Sequence, residues 1–510
     1  MTPTHKAGTH QASGTDPGSL AASDPSIRPH VRFPVTSVAS SAPVPGWLRV
    51  PEDANALAPL VWPERSHRDR DGRLVVGGVD AATLVARFGS PLYVVDEADA
   101  RARARRIRAA FDAAASTAGT DVTIYYAGKA FLSGAVVRWV GEEGLSVDVC
   151  TGGELAIALA AGADPARIGF HGNNKSVAEI ERAVAAGVGA IVLDSEIEIE
   201  RVADAAARAG RVQRVRLRVN SGVHASTHEF LATAHEDQKF GVSLERAVEL
   251  GTRIRSHSSL DLLGLHCHIG SQIFDSAGFA ESASRLLAAH AELAAVAPLP
   301  ELNLGGGFGI AYTSADEPTP IEEIALGIVD AVADGCRERG VPVPKLAFEP
   351  GRSIIGPGGV TLYTVGTVKP VPIDGGIRHY VSVDGGMSDN ARPALYGADY
   401  SARIASRVST AAPVLVRVAG KHCESGDIVV DAEYLPGDIA PGDLLAVPAT
   451  GAYCWSLASN YNHVPRPPVV AVRDGEARVI VRGESEADLL ARDAGLEPDP
   501  DDRSTEGIPA

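Results

Sequence analysis

A lysine that follows an apolar run is the first residue with a clear chemical use. Lys129 comes directly after VTIYYA (122–127) and Gly128, and it is one of only seven lysines in the chain. An amine at the bottom of a packed site loses its charge easily and can form a Schiff base with an aldehyde. The alternative is a surface lysine at a strand end, so Lys129 is interpreted together with the residues that would share its site.

A second group of residues has the chemistry to bind a phosphate. Gly305, Gly306 and Gly307 present backbone N–H groups without side chains, Ser271 adds a hydroxyl, and Arg352 adds a fork of donors. Such a set suits a phosphate anion. Taken alone, a triple glycine is equally typical of a tight turn.

A histidine and a carboxylate complete the set. His268 is placed to lie flat on an aromatic ring, and Glu349 can hold a proton on a pyridine nitrogen through a charge-assisted hydrogen bond. His266 shares a strand face with His268, but an HxH metal site needs a third spaced ligand, so we expect no metal. The amine, the phosphate site, the stacking histidine and the carboxylate together describe one cofactor, pyridoxal 5′-phosphate.

The elements that must position these residues alternate along the chain. Eight short apolar runs, from VTIYYA (122–127) to KLAFE (345–349), alternate with segments of helical spacing. This pattern predicts an α/β domain of the (β/α)8 type, whose active site lies at the carboxyl ends of the strands. An open doubly wound sheet is the alternative, but GxGxxG is absent after the first strand. Polar residues such as Asp148 and His171 follow other strands and would reach the same rim.

The chain after the barrel has a different sequence pattern. Short strands broken by Gly and Pro run from about 361 to 483, which predicts a C-terminal all-β domain. The stretch 73–95 is typical of strand–helix–strand and could pair with that domain. We therefore predict five regions: a disordered extension (1–45), a segment packing on the β domain (46–95), the cofactor-binding barrel (96–355), the β domain (356–490) and an acidic flexible tail (491–510).

Composition excludes several classes of protein. The net charge of −17 over 510 residues argues against a nucleic-acid binder. No stretch approaches the roughly 18 apolar residues of a membrane span, and the first thirty residues lack the apolar region of a secretory signal. Five cysteines lie far apart, which fits neither a disulfide framework nor a CxxC metal site and predicts a reducing cytoplasm.

Seven motifs occur in the order typical of one family. The chain contains YYAGKA (125–130), HGNNK (171–175), HCHIGSQ (266–272), LGGGFG (304–309), EPGR (349–352), CESGD (423–427) and GAYCWS (451–456). From about residue 60 to about residue 490 the sequence resembles the diaminopimelate decarboxylases, in the fold type III class of pyridoxal phosphate enzymes. The resemblance implies a pyridoxal phosphate barrel followed by a β domain, and the long N-terminal extension departs from it.

The resemblance also implies roles for individual residues. Lys129 would carry the cofactor and His268 would stack on its ring. Glu349 would bind the pyridine nitrogen. Cys423 would be the proton donor, reaching with Glu424 into the site of the other subunit of a homodimer. The remaining implied positions are the phosphate site with Ser271, Gly307, Arg352 and Tyr453, and the substrate site with Arg352, Arg392, Tyr396, Glu424 and Tyr453.

The residue types at the far end of the substrate site bear on specificity. The implied reaction converts meso-2,6-diaminopimelate to L-lysine and CO2, the final step of lysine biosynthesis. That substrate carries an ammonium and a carboxylate at its far end, and Glu424 with Arg392 supplies the matching pair. Two alternatives stay open: a decarboxylase for ornithine, lysine, arginine or carboxynorspermidine, and a catalytically dead paralogue that binds a partner. Retention of both Lys129 and Cys423 argues against the second.

Overall fold

A computed structural model describes residues 44–223 and 239–496. The strands are β1 (His67–Arg68), β2 (Leu74–Val76), β3 (Val79–Asp80), β4 (Leu92–Asp96), β5 (Val122–Ala127), β6 (Ser146–Val149), β7 (Ile168–Phe170), β8 (Ala190–Leu193), β9 (Gln213–Asn220), β10 (Val242–Ser243), β11 (Leu260–His266), β12 (Glu301–Asn303), β13 (Lys345–Phe348), β14 (Gly359–Ile373), β15 (Gly376–Val383), β16 (Arg403–Ile404), β17 (Pro413–Ala419), β18 (Ile428–Pro436), β19 (Leu444–Pro448), β20 (Val469–Arg473) and β21 (Glu476–Val481). The helices are α1 (Ala81–Phe88), α2 (Glu97–Thr117), α3 (Gly134–Glu142), α4 (Gly152–Ala160), α5 (Val177–Ala186), α6 (Glu196–Arg208), α7 (Ala247–Ser256), α8 (Ala277–Val296), α9 (Ile321–Arg339), α10 (Arg352–Ile355), α11 (Arg392–Tyr396) and α12 (Glu486–Leu490).

Eight parallel strands close into a barrel. Strands β5 to β9 and β11 to β13, apart from the short β10, pair in the order β9-β11-β12-β13-β5-β6-β7-β8, and β8 pairs with β9 to close the ring. At the closure Ile191 lies opposite Val215. All eight strands fall where the apolar runs place them, so the predicted (β/α)8 barrel is confirmed.

Local sequence explains why these strands and helices alternate. The run Ala190–Leu193 is buried throughout, as expected for a strand with the barrel interior on one side and helices on the other. Helix α5 begins with a capping box, in which Ser176 and Glu179 satisfy each other's backbone N–H groups. It ends at Gly187, which adopts the left-handed conformation that favours glycine. Helix α5 therefore has a defined start and a defined end between strands β7 and β8.

The remaining strands form a mainly antiparallel sheet beside the barrel. Its order is β18-β17-β15-β14-β4-β20-β21, with β19 pairing both β14 and β16. Strand β4 precedes the barrel in sequence, yet it lies between β14 and β20, with Val94 opposite Val360 and Val470. One hydrophobic cluster runs from the barrel into this sheet and includes Tyr363 and Val416. The barrel is thus inserted between two parts of the β region, while the predicted domain boundaries stay predictions.

The two ends of the chain fall largely outside the described ranges. Of the predicted extension (1–45), only residues 44 and 45 are described, and of the predicted tail (491–510), only 491–496 are described. In the parts of the chain that the structure does describe, no helix is both long and apolar enough to cross a membrane.

Candidate active site

A cavity of about 880 Å³ lies where the carboxyl ends of the barrel strands face the β region. This volume is within the usual range of about 300–1,000 Å³ for small-molecule sites. The cavity brings together nine of the residues singled out from the sequence. They are Lys129, His268, Ser271, Gly307, Glu349 and Arg352, which follow barrel strands, and Arg392, Tyr396 and Tyr453, which belong to the β region.

Lys129 is delivered to the cavity by a short turn. Strand β5 ends at Ala127, and Gly128–Ala130 forms a single 3₁₀ turn. A Cβ atom at Gly128 would lie 2.7 Å from the carbonyl oxygen of Asp148, so the close approach of the next strand requires glycine there. The Lys129 side chain is exposed and lines the cavity. Its amine is therefore accessible to a bound aldehyde.

Ser271, Gly307 and Arg352 form an anion cradle on one side of the cavity. Gly307 has a φ of +120°, and a Cβ atom there would lie 2.5 Å from a backbone carbonyl oxygen. Arg352 donates a hydrogen bond to Ser271 Oγ at 2.8 Å, and its guanidinium lies 4.6 Å from the centre of the Tyr453 ring. Tyr453 adopts a φ of +63°, a strained conformation for a bulky residue and one that is concentrated at functional sites. The cradle has the donors and the space that a phosphate needs.

The other two glycines of the run form hydrogen bonds with side chains of the protein. The Gly305 N–H donates to Asn303 Oδ1 at 2.9 Å, and the Gly306 N–H donates to His268 Nδ1 at 3.3 Å. The sequence suggested that both N–H groups would be free to bind a phosphate, but both are used within the protein. Of the three glycines, only Gly307 lines the cavity. Gly305 and Gly306 hold the strand-end loop in place and fix the ring of His268.

The His268 ring is held neutral and oriented. Burial, followed by the positive charge of Lys129, holds the pKa of His268 well below its usual range. A neutral ring can accept the Gly306 N–H at Nδ1, and the ring itself lines the cavity. The geometry thus leaves His268 free to contact a flat ligand.

Glu349 offers one oxygen to the protein and one to the cavity. Its Oε1 lies 2.7 Å from Asn303 Nδ2, 3.0 Å from His266 Nε2 and 3.4 Å from His171 Nε2. Because these contacts all converge on Oε1 and the carboxylate lines the cavity, Oε2 is the oxygen left for a ligand. Despite the burial that raises it, the nearby His171 and His266 hold the pKa of Glu349 well below its usual range.

A second carboxyl group lies behind Glu349. Asp148 Oδ1 is 3.1 Å from His171 Nε2, and both residues are buried. Burial and then the neighbouring Glu349 charge raise the pKa of Asp148 well above its usual range, while burial lowers the pKa of His171 and of His266 to about 4. These four groups form a buried cluster in which Glu349 carries the negative charge.

The ligand atoms of His171, His266 and Glu349 lie within 4.8 Å of one another. The pair that we considered for metal from the sequence, His266 with His268, is therefore not the pair that converges here. The two histidines lie in polar contact with Glu349, and Asn303 donates a hydrogen bond to the same Glu349 oxygen, so the three residues together support the carboxylate.

Arg392 is fixed at the opposite wall of the cavity. It opens helix α11 and is buried, and its Nη1 donates to Tyr400 Oη at 2.5 Å. Its guanidinium also lies 4.5 Å from the centre of the Tyr312 ring. The Tyr312 hydroxyl accepts a hydrogen bond from Arg352, so this tyrosine contacts both arginines and holds them apart. Sequence reasoning missed Tyr312, whose loop position after LGGGFG carries no periodic signal.

Cys423 and Glu424 lie away from the cavity of their own chain. Both are exposed, and they are not among the described residues that line the cavity. Their loop is nonetheless ordered by hydrogen bonds, because the Cys423 N–H donates to Asn462 Oδ1 at 3.1 Å and the His422 N–H donates to Asp427 Oδ2 at 2.7 Å. Asp427 accepts a further bond from the Met387 N–H at 2.6 Å. The tip of this loop is thus presented rigidly to the outside.

Comparisons with known proteins agree with this site. Residues 103–356 match the family model for the pyridoxal binding domain of pyridoxal-dependent decarboxylases. The chain is 51% identical over 444 residues to diaminopimelate decarboxylase from Mycobacterium tuberculosis, covering 85% of this chain and 98% of the relative. It is 46% identical over 437 residues to the Bacillus subtilis protein of the same name, covering 84% of this chain and 97% of that protein. A crystal structure of diaminopimelate decarboxylase from M. jannaschii in co-complex with L-lysine superposes with a TM-score of 0.79 at 31% identity, covering 84% and 98% of the two chains.

The barrel, its lysine and the match to the pyridoxal binding domain define a pyridoxal phosphate-dependent decarboxylase. The anion cradle, the cavity-facing oxygen of Glu349 and the amine of Lys129 have the chemistry that this cofactor requires. The sequence identity of 46–51% extends over nearly the full length of curated relatives and decides which family of these decarboxylases the chain belongs to. The chain belongs to the diaminopimelate decarboxylase family.

Proposed function

We propose that this protein removes CO2 from meso-2,6-diaminopimelate to give L-lysine, the final step of lysine biosynthesis by that route. The single observation that carries the proposal is the arrangement of one cavity: a lysine amine and a charged carboxylate on the barrel side, and a fixed arginine on the other. Relatives that carry the name of this enzyme, and a related structure with L-lysine bound, support the same substrate.

The barrel side of the cavity would hold the cofactor. Lys129 Nζ would be joined to the aldehyde carbon, the cradle of Ser271, Gly307 and Arg352 with Tyr453 would take the phosphate, and His268 would lie on the ring face. Glu349 Oε2 would keep a proton on the ring nitrogen. When bound, pyridoxal phosphate supplies a sink for the electron pair that remains on Cα after CO2 leaves.

Cys423 would complete the reaction from a second copy of the chain. We propose a homodimer in which Cys423 donates the proton to Cα and Glu424 binds the distal ammonium of the substrate. Both side chains are exposed on an ordered loop outside the cavity of their own chain, which suits a contribution to a neighbouring site. A thiol can act as the general acid that this step requires.

Arg392 would select the substrate. Its guanidinium can bind both oxygens of the distal carboxylate, while Tyr396 lines the same wall. The hydrogen bond to Tyr400 and the Tyr312 ring hold that guanidinium in place in advance. Ornithine, lysine and arginine end in a cation without a carboxylate, so Arg392 would repel them.

We also propose that the protein works in a reducing cytoplasm. All five cysteines fall within the described ranges and are free thiols. Free thiols are the rule in cytoplasmic proteins, whereas oxidising compartments favour disulfides.

The test is a substrate comparison on the enzyme supplied with pyridoxal phosphate. We expect CO2 and L-lysine from meso-diaminopimelate, and at least a hundredfold lower kcat/KM for L-ornithine, L-lysine and L-arginine. Arg392→Lys keeps the charge but loses the bidentate geometry, so it should raise KM for diaminopimelate with little gain for the other amino acids. Release of CO2 from one of the other amino acids, and none from diaminopimelate, would overturn the proposal. A protein that binds no cofactor and releases no CO2 would be the inert paralogue instead.

A further inference from the structure

Residues 44–57 follow the surface of the β region and are fastened to it. Leu48 is 7% exposed and packs against Leu415 and Ala432. Further along, the side chain of Asn55 is paired with the backbone of Ser409, donating at 2.9 Å and accepting at 3.0 Å. The segment therefore has a fixed position relative to the sheet.

This fastening carries Trp47 to the active-site cavity. The indole is half-buried, packs against the Leu48 cluster and lines the same cavity as Arg392 and Tyr396. The backbone turns just before it, because the Leu48 N–H donates to the Pro45 carbonyl oxygen at 3.0 Å. An aromatic side chain from outside the barrel thus forms part of the outer cavity wall.

Trp47 lies beside the segment that carries the predicted substrate residues. Asp399 lines the same cavity as Trp47 and follows helix α11 by three residues. Desolvation, with the neighbouring Asp431 and Asp316 carboxylates, raises the pKa of Asp399, and the nearby Trp47 donor opposes that rise. The indole N–H is the only polar group of a tryptophan, so it is the group from which the Asp399 carboxylate can accept.

We propose that Trp47 is a substrate-positioning residue: its indole forms the outer wall of the cavity and, through Asp399, holds the chain segment after helix α11 in its binding geometry. This inference rests on the proposed function, because the substrate's far end is taken to lie beside Arg392 and Tyr396. A tryptophan suits the task, since it supplies a large rigid surface at low entropic cost together with one hydrogen-bond donor. Trp47 acts on affinity and not on the bond-breaking step, which occurs on the barrel side.

The test separates affinity from chemistry with four variants of the cofactor-loaded enzyme. Trp47→Ala removes both the wall and the donor, and we expect KM for diaminopimelate and the dissociation constant for L-lysine to rise about tenfold, with kcat changed less than twofold. Trp47→Phe keeps an aromatic wall but lacks the N–H donor, and Asp399→Leu removes the acceptor while keeping a side chain of similar size, so each should give about a threefold rise. Trp62→Phe is the matched control. Trp62 is 2% exposed, packs in the hydrophobic cluster that contains Leu74 and Leu84, and does not line the cavity, so the affinity for diaminopimelate and L-lysine should not change.

Tryptophan fluorescence during titration with L-lysine gives a readout that needs no turnover. The signal change on lysine binding should shrink in Trp47→Phe and persist in Trp62→Phe. Unchanged KM, lysine affinity and fluorescence response in the Trp47 variants would overturn the inference, even with a fully active wild type. If wild type released no CO2 from diaminopimelate, the proposed function would fail instead, and the lysine titration would still decide the role of Trp47.

Discussion

Two buried carboxyl groups share one histidine, and their geometry decides which of them is charged. The oxygens of Asp148 and Glu349 lie 3.1 and 3.4 Å from the same His171 nitrogen and so are no more than about 6.5 Å apart. With an effective dielectric constant near 20, two negative charges at that distance repel by about 2.5 kcal/mol, a factor of about 70 against double ionisation. Glu349 accepts a hydrogen bond from Asn303 at Oε1, lies 3.0 Å from His266 Nε2 and keeps the charge. Burial is the larger effect on Asp148 and adds to this repulsion, so its pKa is raised well above the usual range and we expect Asp148 to be the protonated member of the pair.

Replacing Asp148 with asparagine should consequently be nearly silent in catalysis. Asp148→Asn keeps the shape and the neutral charge, so we expect kcat/KM for diaminopimelate to stay within about threefold of wild type. Glu349→Gln is the matched change at the charged partner, and it should lower kcat/KM by about a hundredfold or more because a charge facing the cofactor is lost. Steady-state CO2 release at pH 7.5 measures both.

The same substitution has a signature in stability. Because the pKa of Asp148 is raised in the folded protein, unfolding releases its proton, and stability falls as pH rises above the ordinary aspartate range. Asp148→Asn removes that contribution, so its free energy of unfolding should match or exceed that of wild type at pH 8 by chemical denaturation. A hundredfold loss of activity in Asp148→Asn, with Glu349→Gln nearly normal, would show that the charge lies on Asp148 instead of Glu349.

Three further predictions concern the anion cradle, a buried ion pair and the two histidines beside Glu349. Gly307→Ala places a Cβ atom 2.5 Å from a backbone oxygen at a φ of +120° and should weaken cofactor binding at least tenfold in equilibrium dialysis; Gly397→Ala, at a φ of +60° in open space, should leave it unchanged. Lys175→Met leaves Glu198 buried without its 2.9 Å partner and should lower the free energy of unfolding by about 3–5 kcal/mol in urea, and a loss below about 1 kcal/mol would contradict this. The two histidines that contact Glu349 have pKa values lowered from 6.5 to about 4, so between these pH values the unfolded state binds more protons than the folded state. The melting temperature should therefore fall as the pH is lowered from 6.5 to 4. A melting temperature that does not change over this range would count against neutral histidines in the folded protein.

The sequence predicted the barrel well because each barrel strand is a short apolar run followed by a turn. The strand-end residues then follow from the fold, since parallel strands in a closed barrel point their carboxyl ends the same way. Lys129, His268 and Glu349 reach one cavity for that reason alone. Reading the strand ends therefore located most of the site without any knowledge of side-chain contacts.

Other features depend on contacts that no single segment encodes. Asp148 and His171 were visible as polar residues after strands, but the contact of His171 with both Asp148 and Glu349 depends on the register of three strands. Tyr312 lies in a loop, and Trp47 reaches the cavity only because Leu48 packs on the distant β sheet. The Gly305 and Gly306 N–H groups, expected to be bare, are taken up by neighbouring side chains for the same reason.

The covalent attachment site of the cofactor identifies the lysine on which the proposed chemistry depends. The protein would be loaded with pyridoxal phosphate, reduced with borohydride and digested, and the labelled peptide would be sequenced by mass spectrometry. Lys129, whose amine lines the cavity, should carry the phosphopyridoxyl group at close to one per chain. A label on Lys175, which is buried against Glu198, on any other lysine, or on none, would contradict the account.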